Sequence, residues 1–319
     1  MTADLGLGMP LDPHAKRLLA MLATAGGADP PRLTVHERRE AFRKLMSLSA
    51  SDVGIGFVED RVLPGPDGPV GIRIYTPAAT TADQLSGLVY FHGGGLVAGV
   101  VDTHECVCRM LANETGCRLV LVDYRLAPEH KFPAALVDCH VATTWVLEHA
   151  ADLGIIRHRI AVGGDSAGGS LAMAVCQTVR QTQAPKLAAQ LLLCPITDFA
   201  AETESRRTLA EGRLLDKAAM DQDLEHYLPA GVDATDPRIS PLRASDFSGL
   251  PPAYIHTAEF DPLRDEGKAY ADRLTRAGVE VKYTCHPGMV HLFYGMASVI
   301  PYARAAIKLI GTEIRGALG

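Results

Sequence analysis

The 319-residue chain has no CxxC pair and an odd number of cysteines, seven, at positions 106, 108, 117, 139, 176, 194 and 285. Five of them (Cys117, Cys139, Cys176, Cys194 and Cys285) lie in apolar stretches. That pattern speaks against a disulfide framework and a zinc site, and for reduced, mostly buried thiols. Clustered positive charge is also missing. Thirty-one Lys and Arg stand against 37 Asp and Glu, a net charge of −6, and the densest basic stretch is His36–Glu40. No nucleic-acid partner is expected. Long apolar runs are missing too. The uncharged stretch Leu85–Val101 is interrupted by five glycines and a histidine and falls short of a bilayer span. The N-terminus, MTADLGLGMPLDPHAKR, carries acid before base and no apolar core, unlike a signal peptide. A cytoplasmic protein without stable membrane insertion is the expectation. There is no internal repeat, low-complexity tract or long linker.

What is present has the composition of an ordinary folded protein, 47% hydrophobic and 21% charged, and its length suits one large domain or two ordinary ones. Two helical patterns open the chain, one after Pro13 (Leu18, Leu19, Met21, Leu22) and one after Thr34 (Phe42, Leu45, Met46, Leu48). Thr34 with Glu37 has capping-box spacing. Strand-like runs at Gly56–Leu63 and Val70–Tyr75 flank a hairpin loop, Pro64–Gly68. Apolar strand patterns then recur at Gly87–Phe91, Arg118–Val122, Arg159–Val162, Ala188–Cys194, Ala253–Thr257 and Glu280–Cys285. Helical patterns alternate with them at Glu105–Glu114, Ala134–Ala150, Ala167–Thr182, Arg264–Ala277 and Val299–Ala317. In the second of these, Val137, Val141 and Trp145 form an apolar stripe. Alternation with continuous apolar strands predicts an α/β fold, a mostly parallel sheet covered by helices on both faces. Residues 200–247 break the rhythm. With residues 1–50 they are expected to form a two-piece helical cap over a core of 51–199 and 248–319.

Four motifs carry chemistry. Arg159–Gly169 reads strand, then Gly164-x-Ser166-x-Gly168, then helix. A serine on so sharp a turn projects its hydroxyl from the sheet edge, and flanking glycines relieve the crowding. This motif resembles the nucleophile turn of the α/β-hydrolase fold. His92-Gly93-Gly94-Gly95 directly follows a strand, and its backbone N–H groups, with that of Ala167, suit a developing oxyanion. His92 precedes those donors and reads as a brace for the loop. Asp261 follows a strand, with Pro262 fixing the exit, and His291 follows the last strand. The order Ser166, Asp261, His291 suits a nucleophile, an orienting acid and a base. Among rivals, Asp198 also follows a strand, Asp265 suits the first turn of a helix, and His256 and His286 lie within strands. Asp165 reads as an anchor for neighbouring loops.

Together HGGG at 92–95, DYRLAPEHKFPAALVD at 123–138, GDSAGG at 164–169, DPLRDEG at 261–267 and HLF at 291–293 resemble the GDSAG-type bacterial hormone-sensitive-lipase-like esterases. The resemblance covers roughly residues 55–319. It implies an eight-stranded α/β-hydrolase sheet under a helical cap, with cofactor-free hydrolysis of short-to-medium acyl esters through an acyl-enzyme. It also implies oxyanion donors at Gly93, Gly94 and Ala167, with His92, Gly95 and Asp165 in support. Arg125, Glu129 and Asp138 become scaffold residues, and the partner expectation is a small-molecule ester and a homodimer through residues 279–285 and a neighbouring helix. An amidase or deacetylase with the same triad is the alternative, and a non-catalytic ligand-binding member of the fold is a further one.

Overall fold

The computed structural model describes residues 10–26, 32–48, 53–80, 82–182, 185–211 and 214–319. The reading of the first nine residues, and parts of the expected cap piece 1–50, fall outside them. In chain order the elements are α1 (Pro13–Gly26), α2 (Val35–Ser47), β1 (Phe57–Leu63), β2 (Val70–Thr76), β3 (Leu85–Phe91), α3 (Val101–Thr115) and β4 (Arg118–Asp123). There follow α4 (Ala134–Glu148), β5 (Ile155–Asp165), α5 (Ala167–Arg180), β6 (Ala189–Leu193), α6 (Glu204–Leu209) and α7 (Lys217–Tyr227). The chain ends with β7 (Ala253–Phe260), α8 (Arg264–Arg276), β8 (Val281–Val290) and α9 (Tyr302–Leu318).

The eight strands form one sheet in the order β1-β2-β4-β3-β5-β6-β7-β8. β1 with β2 and β2 with β4 pair antiparallel; the other neighbours are parallel. Period-two alternation sorts each strand between two cores. Val89, Phe91, Val120 and Val122 pack with Val146 of α4, Val175 of α5 and Leu274 of α8. Leu88, Tyr90, Leu119 and Leu121 pack with Leu111 of α3 and Ile310 of α9 on the opposite face. Each such side chain contributes about 1.5–3 kcal/mol by leaving water, so a one-residue register slip would be costly on both faces.

One strand boundary and one helix face differ instructively from the sequence reading. Pro287-Gly288 looks like a strand end, yet β8 continues to Val290. β8 is the last strand of the sheet, where a proline costs no ladder bond, and a register shift between Ala258 and Phe260 lets Phe260 pair with Val290. In α4 the stripe Val137–Val141–Trp145 is only half-buried, and the core face is Ala135, Cys139, Ala142 and Val146. The face shifts because Asp138, buried on that helix, takes a fork of bonds at 2.8–3.1 Å from the Arg125 side chain. The Thr34 capping box is formed, with Glu37 N–H donating to the threonine hydroxyl and the glutamate accepting from Thr34 N–H. Among the described residues no helix is long and apolar enough to cross a membrane.

Candidate active site

Ser166 sits between β5 and α5 with φ 52° and ψ −119°. That backbone is unfavourable for a residue with a Cβ, and surrounding contacts enforce it. Its N–H donates to Leu193 O on β6 at 2.9 Å, and its carbonyl accepts Ile196 N–H at 3.0 Å. The glycines on either side are needed for close approach. A Cβ at Gly164 would strike the Gly168 backbone, and one at Gly168 would strike Phe91 O.

Three chain-distant residues meet at the sheet's C-terminal edge. His291 Nε2 lies 3.1 Å from Ser166 Oγ, and His291 Nδ1 lies 2.8 Å from Asp261 Oδ2. Asp261 Oδ1 accepts the N–H of Leu263 at 2.9 Å. All three side chains are at most 4% exposed. A serine–imidazole–carboxylate chain of this geometry can pass the hydroxyl proton to His291 while Asp261 fixes the tautomer. The rivals are committed elsewhere. Asp198 pairs with Arg243 at 2.9 Å, and Asp265 accepts Ser205 N–H at 2.8 Å, at the start of α6. His256 and His286 bond to each other within the strands.

The glycine loop departs from the sequence reading at one residue. Gly93 N–H, expected among the oxyanion donors, donates to His104 Nε2 at 3.3 Å. A glycine stands there because a Cβ would run into the Asp165 carboxylate. Gly94 and Gly95, not Gly93, line the cavity beside Ser166. Gly95 was expected only to support the loop. His92 braces it: Nδ1 lies 2.9 Å from Gly93 O, the ring stacks on Tyr124 at 4.2 Å, and Tyr124 Oη donates to His92 O at 2.6 Å. Burial, followed by the nearby His104, pushes the His92 imidazole down to about 3, so it stays neutral. Asp165 accepts Tyr90 Oη at 2.9 Å and lies 3.3 Å from His104 Nε2. Burial opposes its charge, but His104 and Tyr90 outweigh that and hold its carboxyl below the usual range. His104 escaped the sequence reading, because no local pattern marks a helix residue that meets a loop and a strand end.

A cavity of about 260 Å³ opens above Ser166 and His291. Phe42 and Leu45 of α2 wall one side, and Leu214, Met220 and Leu224 wall another. The two walls are joined by Arg38 of α2 and Asp223 of α7, whose ion pair closes at 2.8 Å. The Asp223 carboxylate packs onto Gly95, where φ is +66° and a Cβ has no room. Asp12, ahead of α1, donates its N–H to Gly288 O at 3.0 Å, just upstream of His291. Glu259 takes the Gly288 N–H at 2.7 Å from the other side.

This sheet, elbow and loop set define an α/β hydrolase. A family model described as alpha/beta hydrolase fold matches residues 88–295, and the chain belongs to that family. Several of its relatives are named esterases or ester hydrolases. Esterase LipI of Mycobacterium tuberculosis (strain ATCC 25618 / H37Rv) is 40% identical over 285 residues, 88% of each chain. Ethyl acetate hydrolase of Pseudomonas putida is 36% identical over 314 residues, 95% of this chain and 98% of that one. Carboxylic ester hydrolase LipN of the same Mycobacterium strain is 44% identical over 245 residues, 75% of this chain, which spans 65% of LipN's length. Among solved structures, the hyperthermophilic esterase of the archaeon Pyrobaculum calidifontis superposes with a TM-score of 0.92 at 38% identity, covering 98% of this chain and 100% of that one. The chain is an enzyme of the esterase branch of the family.

Proposed function

We propose that this protein hydrolyses carboxylic esters with short-to-medium acyl chains through an acyl-enzyme on Ser166. The hydrogen-bonded line Ser166–His291–Asp261 at the floor of the cavity carries the reading. His291 Nε2 takes the Ser166 proton as Oγ attacks the ester carbonyl carbon. The carbonyl oxygen becomes an oxyanion between the N–H groups of Gly94, Gly95 and Ala167; among the described residues none of the three donates to a protein acceptor. His291 returns the proton to the departing alcohol. It then takes one from water, which attacks the acyl-enzyme, and passes it to Ser166 Oγ as the acid leaves. No cofactor enters the reaction.

We read residues 1–50 and 200–247 as the cap, since α2 and the segment around α7 wall the cavity opposite Ser166. Their apolar side chains suit an aliphatic acyl or alcohol group. The homodimer belongs to the same proposal: β8 is the last strand of the sheet, where a second copy can continue it. The experiment is an acyl-chain series of p-nitrophenyl esters with Ser166→Ala as control. Activity should peak on short-to-medium chains and fall by about 10⁴–10⁶-fold in the control. Hydrolysis surviving at the wild-type rate without the hydroxyl overturns the reading.

A further inference from the structure

The cap meets the glycine loop through a buried charge that the chemistry above does not use. Asp223 of α7 lines the cavity together with Ser166, His291, Gly94 and Gly95, and it is 5% exposed. Its carboxylate fills the place where a side chain at residue 95 would stand. The N–H of Gly95 is one of the three donors proposed above for the oxyanion. A bare carboxylate at that place would oppose the negative charge forming on the ester oxygen. In a buried site such opposition is far stronger than in water.

Arg38 of α2 supplies the counter-charge. Its Nε donates to Asp223 Oδ1 at 3.2 Å and a terminal nitrogen donates to Oδ2 at 2.8 Å, so both carboxylate oxygens are engaged. The fork is held from the core. Arg39, the next residue of α2, donates to Val97 O just past the glycine loop at 2.9 Å and to Ala127 O at 3.1 Å. It also forks onto the Glu129 carboxylate at 2.6 and 2.9 Å. The other charged or titratable groups around Asp223 are His226 on its own helix, Asp216 ahead of that helix, and His291 across the cavity. Arg206 and Asp221 also line the cavity, but they are bonded to Glu266 and Lys217.

We propose that Arg38 is a positioning residue of the reaction: it seats the Asp223 carboxylate on Gly95 and cancels its charge where the ester oxygen turns negative. The inference rests on the triad reading above. As a clasp between the two cap pieces the pair would contribute little, because desolvation offsets most of the attraction in an ion pair this buried. Its two halves are equal for a clasp and unequal for the reaction. Losing Arg38 leaves an anion beside the oxyanion, whereas losing the Asp223 charge leaves a cation there.

Arg38→Met and Asp223→Asn break the same ion pair and so separate the two roles. For both, for the double variant and for Arg38→Lys, kcat and KM on p-nitrophenyl acetate are read from about pH 5 to 9, with melting temperatures. Arg38→Met is expected to lower kcat about 10- to 100-fold at the alkaline end with KM within about twofold, because the ester is neutral until the transition state. Asp223→Asn should stand at least about tenfold above it. The double variant carries neither charge and should recover to within about threefold of Asp223→Asn. Arg38→Lys keeps the cation and should recover most of the loss. The deficit of Arg38→Met should shrink as pH falls, and the double variant should lack that trend. Burial raises the Asp223 carboxyl above its usual range even beside Arg38, so without Arg38 it takes up a proton, and sheds its charge, more readily still.

Equal kcat in the two single variants overturns the proposal, whatever their melting temperatures, since a mere clasp fails alike from either side. A deficit in Arg38→Met that the double variant does not relieve overturns it equally. If Arg38→Met does not fold, Arg38→Gln takes its place under the same criteria. A serine-directed phosphonate and Ser166→Ala, run alongside, keep the two readings apart. If the wild type is not labelled, the triad reading fails; if it is labelled while the two single variants are equal, only the role of Arg38 fails.

Discussion

Strands β7 and β8 carry two buried histidine clusters, five positions apart on each strand, and only one faces a reaction space. Past the strand ends, Asp261 and His291 meet at 2.8 Å with Ser166 and the cavity beyond. Upstream, His256 Nδ1 lies 3.1 Å from His286 Nε2, and His256 Nε2 lies 3.0 Å from the Glu313 carboxylate of α9. Tyr302 Oη lies 3.1 Å from His286 Nδ1, and Lys282 Nζ reaches Glu313 at 3.1 Å. Both clusters join imidazole to carboxylate, and both are buried. The upstream one is closed by α9 and bridges β7, β8 and that helix. A buried histidine–carboxylate pair is therefore no mark of catalysis on its own. What differs is position: the C-terminal edge of the sheet, beside a strained serine and backbone donors, is where a substrate can reach the pair.

One carboxylate-to-amide change in each cluster tests that difference. Asp261→Asn removes the acceptor that selects the His291 tautomer and should cut kcat by about 10⁴-fold while the fold persists. Glu313→Gln is chemically the same exchange in the upstream cluster. It should leave kcat within about twofold and lower the urea midpoint by an amount worth about 1–3 kcal/mol. Steady-state kinetics and denaturation on both variants decide it. Comparable kcat losses in the two would erase the distinction between the clusters.

The parts of this arrangement that were legible in the sequence are those set by local chemistry. Apolar runs marked the strands after β2, because a strand buried on both faces has few polar positions to hide it, and β1 and β2 were marked by the hairpin loop between them. Gly164, Ser166 and Gly168 marked the elbow, because only glycine tolerates the contacts on either side. Asp261 and Asp198 both follow strands in the sequence, and the structure adds that Asp198 is occupied by Arg243. What stayed hidden depends on residues far apart in the chain. Gly93 spends its N–H on His104 while Gly94 and Gly95 line the cavity, and no spacing within HGGG encodes that. The Arg38–Asp223 pair spans 185 positions. The bond from Gly288 N–H to Glu259 was hidden for the same reason, the two lying across a strand pair.

The smallest expected effect concerns the upstream cluster and pH. Burial, followed by the neighbouring His256, pushes His286 from 6.5 down to about 3, with Glu313 pulling weakly the other way. The rings packed around it are those of His256, Tyr302 and Phe293. The native protein thus keeps His286 neutral at pH values where the unfolded chain protonates it. Fewer protons are bound in the native state, so stability is complete above about 6.5 and is lost as pH falls toward about 3. One such group contributes a slope of at most about 1.4 kcal/mol per pH unit across that window. His286→Gln removes the titrating ring and should flatten the dependence by that amount, with kcat near neutral pH unchanged within about twofold. Urea unfolding of both proteins at several pH values below neutrality measures the difference. An unchanged slope would mean that the ring is not held neutral; a large kcat loss would mean that the upstream pair reaches the site after all, through the Cys194 N–H that rests on the His256 carbonyl.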